Sequence, residues 1–395
     1  MPSNHIESKS RQPAVAANDR SAMSLQPTRG ELAQTRRIHI LGLGNVGKLV
    51  AHAIRSLPNP PPITLCFHRF DLVQEWFRGE RKITLTTHGV ADSQHGYDIE
   101  RVKPRKDHDV QDPIHHLILV TKAPNVVKAL LSVKHRLTPS STILFLQNGM
   151  GIVETVNRKV FSDPAQRPNY LVGIVSHGVK SDGSSFGAIH SGAGIISLGV
   201  LPVEDGPATD AQLPESSQYL AQCILRSPVL AATMQPPTEL LQLQLEKLAV
   251  NCILNPITAL VDARNGSLLF NFSLSRVMRL LISEISLVIR SLPELKGLPN
   301  VENRFSPGRL ETMVVGVATK TRDNVSSMLA DMRSGRKHNE VKFINGYIVQ
   351  RGEELGIQCV MNYMLVHLVR GKQEIVHYEK LNEVPFEQIP GQMDL

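Results

Sequence analysis

From Arg37 onward the apolar positions of the chain follow two alternating periods. Arg37 to Leu41 is a short apolar run, Gly42 to Gly47 a glycine-rich turn, and Val46 to Leu57 has apolar residues at helical spacing. Pro58 and the Pro60-Pro61-Pro62 run end that helix, after which Ile63 to Phe67 reads as a second, β-branched strand. His116 to Val120 and Thr142 to Leu146 read as two more buried strands, with a helical segment from Val126 to Leu137 between them. Alternation of strand and helix over residues 37–150 predicts a parallel, doubly wound α/β sheet, because each parallel crossover needs a covering helix.

Shorter strand signals come next between glycines, at Tyr170 to Ser176, Ala188 to His190 and Ile195 to Leu198, and suit an edge extension of the same sheet. Pro202 to Ser217 is polar and proline-rich and is expected to be a surface loop. After Pro237 the pattern is helical almost throughout, at Glu239 to Leu254, Ser273 to Arg290, Asn339 to Leu355 and Asn362 to Lys372. The expected organisation is a mobile extension over residues 1–36, an α/β domain over 37–236, an all-helical domain over 237–380 and a tail over 381–395.

Composition narrows the class. The 395 residues are 42% hydrophobic and 20% charged, so the bulk of the chain folds and long low-complexity classes are excluded away from the ends. The four cysteines, Cys66, Cys223, Cys252 and Cys359, form no C-x-x-C pair, so neither a zinc ribbon nor a disulfide framework is expected and no metal site is indicated. A reducing compartment is implied, with a cytoplasmic location expected. Through Arg37, six Lys or Arg stand against three Asp or Glu, which gives a weak likeness to a mitochondrial transit peptide and keeps that location as the alternative. Glu284 interrupts the richest apolar stretch, Leu280 to Ile289, so no membrane span is expected. A formal charge of +7 leaves nucleic acid, an anionic membrane face and a phosphate-rich cofactor as candidate partners.

The chemistry of four strand ends chooses among these. Gly42-Leu43-Gly44-Asn45-Val46-Gly47 is G-x-G-x-x-G, and it comes after a strand and opens a helix, the context in which glycines let a pyrophosphate approach a helix N-terminus. This makes the N-terminal domain a Rossmann-type, dinucleotide-binding one. The second strand ends in His68-Arg69, with no acid before Asp71, which favours the 2′-phosphate of NADP over the bare ribose of NAD; a solvated arginine is the competing reading. Lys122 and Asn148 come after the next two strands at equivalent ends, where open α/β sheets bind ligands. Lys122 suits a cofactor phosphate or ribose, and Asn148 a nicotinamide ribose or a substrate carbonyl; ordinary loop residues are the competing reading, which their occurrence at equivalent ends makes less attractive.

In the helical region Lys247, Asn251 and Asn255 fall at i, i+4 and i+8, a polar stripe on a segment that is otherwise apolar nearly all round. Such a stripe faces an interior cleft rather than bulk water. A lysine there loses solvation and its pKa moves down toward the range useful for proton donation, which makes Lys247 the candidate general acid.

The segment around Lys247, the Gln147-Asn148-Gly149-Met150-Gly151 turn and Ser326-Ser327-Met328-Leu329-Ala330-Asp331 together resemble ketopantoate reductase (2-dehydropantoate 2-reductase) of fungal type, from about Arg37 to about Gly371. The resemblance implies a Rossmann domain followed by an all-helical domain with the active site between them, reducing 2-dehydropantoate to (R)-pantoate with NADPH on the route to coenzyme A. It puts the cofactor fingerprint at Gly42, Gly44 and Gly47, further cofactor contacts at Arg69, Lys122, Asn148, Val179 and Glu340, the proton donor at Lys247, and the substrate contacts at Asn148, Asn251, Asn255, Asn265 and Ser327. It also implies that Glu340 belongs to the helix ending Ile344-Asn345-Gly346. The partner is then a small 2-keto acid, with no membrane and no nucleic acid, and a homodimer is left open.

Two departures from the family pattern stand out. One residue more than usual lies between Ser327 and Glu340, through Arg336-Lys337-His338-Asn339, and Lys342 replaces an acid. Inside a helix one extra residue rotates all downstream positions by about 100°, unless a turn such as that at Gly335 absorbs it. The alternatives to a ketopantoate reductase are a same-fold reductase of another branched 2-keto acid, and a catalytically silent relative that binds protein or RNA.

Overall fold

The computed structural model describes residues 36–102, 112–201 and 213–381. Nearly all of the expected N-terminal extension, the stretch 202–212 and residues 382–395 of the expected tail lie outside these.

Both faces of the first strands are apolar, and each is covered. The chain runs β1 (Ile38–Leu41), α1 (Asn45–Arg55), β2 (Ile63–Phe67), α2 (Phe70–Arg78), β3 (Ile83–Thr87), β4 (Val90–Gln94), β5 (Asp98–Arg101), β6 (His116–Leu119), α3 (Val126–Leu131), β7 (Thr142–Phe145), α4 (Ile152–Lys159), β8 (Asn169–Val175), β9 (Gly178–Ser181), β10 (Gly187–Gly192), β11 (Ile196–Val200), α5 (Glu215–Leu225) and β12 (Thr233–Met234). Among the described residues the main sheet has the order β12-β11-β8-β7-β6-β1-β2-β5. From β5 to β8 the pairs are parallel, and β11 adds antiparallel to β8. Successive residues alternate between two cores: Ile118 and Leu144 pack with α1 and α5, Leu117, Leu119, Ile143 and Phe145 with α3 and α4. The order reverses between β1 and β6, so the loops after these two strands flank the topological switch point.

The expected fold class is present, a Rossmann-type parallel sheet followed by a helical region. One expectation fails: Ala188–His190 does not extend the main sheet. It lies in β10, in a second sheet of order β4-β3-β10-β9 that packs beside α1. Lys48, buried on α1, fixes this sheet by donating from Nζ to the Gly187 carbonyl at 2.5 Å. The pairing joins strands far apart in sequence, which local periodicity cannot register. Ser217, placed in a loop by its polar surroundings, is buried in α5 and exchanges a hydrogen bond with Thr142 at 2.9 Å.

The helical region comprises α6 (Pro237–Val261), α7 (Phe272–Arg290), α8 (Val301–Arg304), α9 (Pro307–Lys320), α10 (Ser327–Arg333), α11 (Asn345–Glu354) and α12 (Val360–Leu381) around one apolar core. The Asn271, Ser306 and Ser326 side chains cap α7, α9 and α10. The single helix expected from Asn339 to Leu355 is broken: residues 339–344 form a turn, and α11 begins at Asn345. Glu340 therefore lies before the helix, not on it. The break stems from Asn339, whose Oδ1 accepts from the Val341 amide and whose Nδ2 donates to Gln373, so polar bonds to α12 replace helical ones. Ahead of this turn Gly335 takes φ +68°, and α12 holds the Gly335 and Arg336 carbonyls through His377 and Gln373. No helix among the described residues is long and apolar enough to cross a membrane.

His39, in the centre of the main sheet between Thr64 and Leu117, has a buried Nδ1 without a partner. Burial, then the charges of Arg136 and Arg37, pushes its pKa down to about 3. The folded state keeps this ring neutral while the unfolded chain protonates it near 6.5, so its contribution to stability is complete above about 6.5 and is lost as pH falls toward 3. His39→Val is expected to flatten part of the acid decline in thermal midpoint between those limits. A decline as steep as in the wild type would assign the loss to the other buried histidines.

Candidate active site

The site is built where the carboxyl ends of β1, β6, β7 and β8 meet the first helix of the helical region. Gly42 leaves β1 with φ +112°, and a Cβ there would stand 2.5 Å from the Thr121 amide nitrogen. Only glycine lets the β1 and β6 loops come this close. A Cβ on Gly47 would run into the Gly42 carbonyl, whereas Gly44, at the head of α1, has nothing within 4 Å. The loop is thus packed on its inner side and open at the helix N-terminus, a shape that admits a pyrophosphate against α1. Leu43 and Val46 turn inward with Val120 and Val179 to the same apolar core, while Asn45 opens the helix.

Arg69 stands at the end of β2, more than half exposed, with Asp71 at 3.5 Å. Exposure leaves its guanidinium available to an anion.

Lys247 reaches across from α6: its Nζ donates to the Val175 carbonyl, at the end of β8, at 2.7 Å. Loss of water around the ammonium pushes its pKa down to about 8, and the negative charge of Glu340 opposes the fall. Asn251 and Asn255 continue along the same helix, Asn251 partly exposed and Asn255 buried. Glu340, also buried, accepts from the Ala123 amide at 3.4 Å, so the β6 loop, Glu340 and Lys247 adjoin.

Other contacts close the seam. Lys122 pairs with Asp331 on α10 at 3.0 Å, and Asp331 also holds Arg336 at 3.4 Å. The Asn148 turn is seated by the Met150 amide donating to the Phe343 carbonyl at 2.8 Å; a Cβ on Gly149, φ +90°, would stand 2.5 Å from that oxygen. Ser327 begins α10 and is exposed, while its neighbour Ser326 caps the helix and accepts from Thr258 of α6 at 2.7 Å. Asn265 donates to Thr321 at 2.9 Å and leaves its buried Oδ1 without a partner.

The structure brings Lys247, Glu340, Lys122 and the glycine loop into one region. Val179 lies on the second sheet beside α1, and Arg69 follows the carboxyl end of β2, the strand next to β1. Asp331 was not singled out for a role from sequence, although it stands four residues after Ser327 and so on the same side of a helix. The Val175 carbonyl, a main-chain group, carries no sequence signal at all. All four cysteines are free and buried, and no group of three or more His, Cys, Asp or Glu among the described residues is arranged to hold a metal.

A parallel sheet with a switch-point glycine loop, followed by a helical region that brings a lysine to its carboxyl edge, defines an α/β class with a candidate site where the two meet. Residues 38–202 match the family model described as ketopantoate reductase PanE/ApbA, and residues 239–373 the model of its C-terminal part. The chain belongs to the ketopantoate reductase family of oxidoreductases. It is 27% identical over 337 residues to a probable 2-dehydropantoate 2-reductase of Schizosaccharomyces pombe, covering 85% of this chain and 96% of that one. It is 26% identical over 373 residues to a ketoisovalerate reductase of Beauveria bassiana, covering 82% and 79%. In fold it is similar to D-mandelate dehydrogenase solved with NADH and anilino(oxo)acetate, with a TM-score of 0.65, 19% identity and coverage of 86% and 99%.

Removal of the Glu340 charge tests the electrostatics of the seam directly. Glu340→Gln is expected to move the Lys247 pKa below about 8, read as an earlier onset, with rising pH, of Lys247 modification by an amine reagent. An unmoved onset would show that Glu340 does not act on the ammonium.

Proposed function

We propose that the protein reduces 2-dehydropantoate to (R)-pantoate with NADPH, in the cytoplasm, where the four buried thiols stay reduced. The observation that carries this reading is the Lys247 ammonium, desolvated at the sheet's carboxyl edge and already donating to a carbonyl oxygen. Support for the cofactor comes from the open face at Gly44 and from the exposed Arg69, with no acid at the end of β2 to favour NAD. A bound NADPH supplies the hydride to the 2-keto carbon.

The chain's own groups do the rest. Lys247 faces the keto oxygen, offsets the charge that develops there and transfers its Nζ proton to it. Asn251 and Asn255 orient the keto acid along α6, Ser327 bonds its carboxylate, and Asn148 touches both substrate and cofactor. Lys122 and Val179 contact the cofactor, and Glu340 accepts from a hydroxyl of cofactor or substrate while keeping Lys247 protonated. The unpaired, buried Oδ1 of Asn265 suits the 4-hydroxyl of 2-dehydropantoate, since an acceptor left bare is costly.

Likeness to a ketoisovalerate reductase favours a second reading, in which the substrate lacks that hydroxyl. NADPH oxidation with each keto acid separates the two. A site that reads a hydroxyl rejects the analogue without it by about 10² or more in kcat/KM. Higher kcat/KM for ketoisovalerate would replace the first reading by the second, and no turnover of either acid by protein that binds NADPH would remove both.

Lys247→Ala is expected to lower kcat by about 10² or more with NADPH affinity nearly unchanged. In the wild type the rate of reduction should fall as pH rises through about 8, where the ammonium loses its proton. An equal loss of cofactor affinity would place Lys247 in cofactor binding instead. Arg69→Glu should shift preference from NADPH toward NADH, and an unchanged ratio would mean that another group reads the 2′-phosphate.

A further inference from the structure

Helix α6 carries Pro256 in its interior, one residue after Asn255. Proline has no amide hydrogen, so the Cys252 carbonyl, four residues earlier, loses its helical donor, and the ring presses on that same oxygen. Helical geometry is also disfavoured for the residue before a proline, and here Asn255 adopts it inside the helix. The weak point of the helix therefore falls within the Lys247, Asn251, Asn255 stripe.

A side chain from another helix fills the gap. Asn345, fully buried at the start of α11, donates from Nδ2 to the Cys252 carbonyl at 2.9 Å. The same Nδ2 donates to Asn362 Oδ1 at 3.0 Å, and Asn362 donates to Glu284 Oε2 at 2.8 Å. Glu284 further accepts the Met361 and Asn362 amides, at 2.9 and 3.0 Å, at the head of α12. A chain of hydrogen bonds thus runs from α7 through α12 and α11 to the one carbonyl that Pro256 strips.

We propose that Asn345 is a positioning residue for the keto acid: by replacing the donor that Pro256 removes, it fixes the course of α6 past Pro256 and so the direction in which Asn251 and Asn255 face the substrate. This rests on the reading of Asn251 and Asn255 as substrate contacts. The glycine loop and Arg69 lie on other elements, so their hold on the cofactor does not depend on Asn345.

A two-residue cycle tests it, because Pro256→Ala returns an amide hydrogen to the helix and makes Asn345 dispensable at that carbonyl. Asn345→Ala is expected to raise KM for 2-dehydropantoate about tenfold, with KM for NADPH unchanged, the effect of misplaced orienting groups. The Pro256→Ala/Asn345→Ala double variant should recover to within about threefold of Pro256→Ala alone, a rescue that general loosening of the core would not produce. Amide hydrogen exchange over residues 250–261 should show protection lost in Asn345→Ala and regained in the double variant. Equal loss on both backgrounds, or a KM change shared by NADPH, would overturn the proposal. If Asn345→Ala does not fold, comparison of Pro256→Ala with the double variant decides it. If the wild type turns over no keto acid, the functional reading fails, while hydrogen exchange still decides whether Asn345 holds α6.

Discussion

The hydrogen bond from the Lys247 ammonium to the Val175 carbonyl joins a helix of one region to a strand end of the other, and the site depends on that joint. A charged amine in a seam with little water must have an acceptor, and the end of β8 offers one. The same lack of water brings its pKa down to about 8, while Glu340 keeps the proton from leaving earlier. A single constraint, the desolvation of an ammonium, thus accounts for both its main-chain acceptor and its lowered pKa.

The sheet contributes by bringing loops together rather than by supplying side chains from its core. Reversal of strand order between β1 and β6 leaves space beside α1, and Gly42 lets the Thr121 backbone close one side of it. Lys122 and Ala123 then extend to the helical region, where Asp331 and Glu340 receive them. These acids sit in a polar setting that α10 and the 339–344 turn create, and α12 braces that turn through Gln373.

Much of this was legible from local pattern. Strand ends fixed the positions of the glycine loop, Arg69, Lys122 and Asn148, because period and punctuation are properties of neighbouring residues. The stripe at Lys247, Asn251 and Asn255 was legible because helical spacing puts these residues on one side of α6. Illegible were the second sheet, in which β3 pairs with β10 across a long interval, and the break before α11, where side-chain bonds from Asn339 outcompete helical propensity. Ser217 was misplaced for a similar reason: its polar surroundings looked exposed, but a partner hydroxyl on β7 makes its burial acceptable.

By itself the sequence determined the class of sheet, the glycine turn, the lysine and asparagine stripe and the lack of an acid at the end of β2, all of which depend on residues within one or two helical turns of each other. Tertiary structure alone decided what each polar group faces. Lys247 finds its acceptor 72 residues away, the Cys252 carbonyl its donor 93 residues away, and Ala123 its carboxylate 217 residues away. A buried donor or acceptor must be paired, but the chain only specifies the need; the packing of distant elements selects the partner.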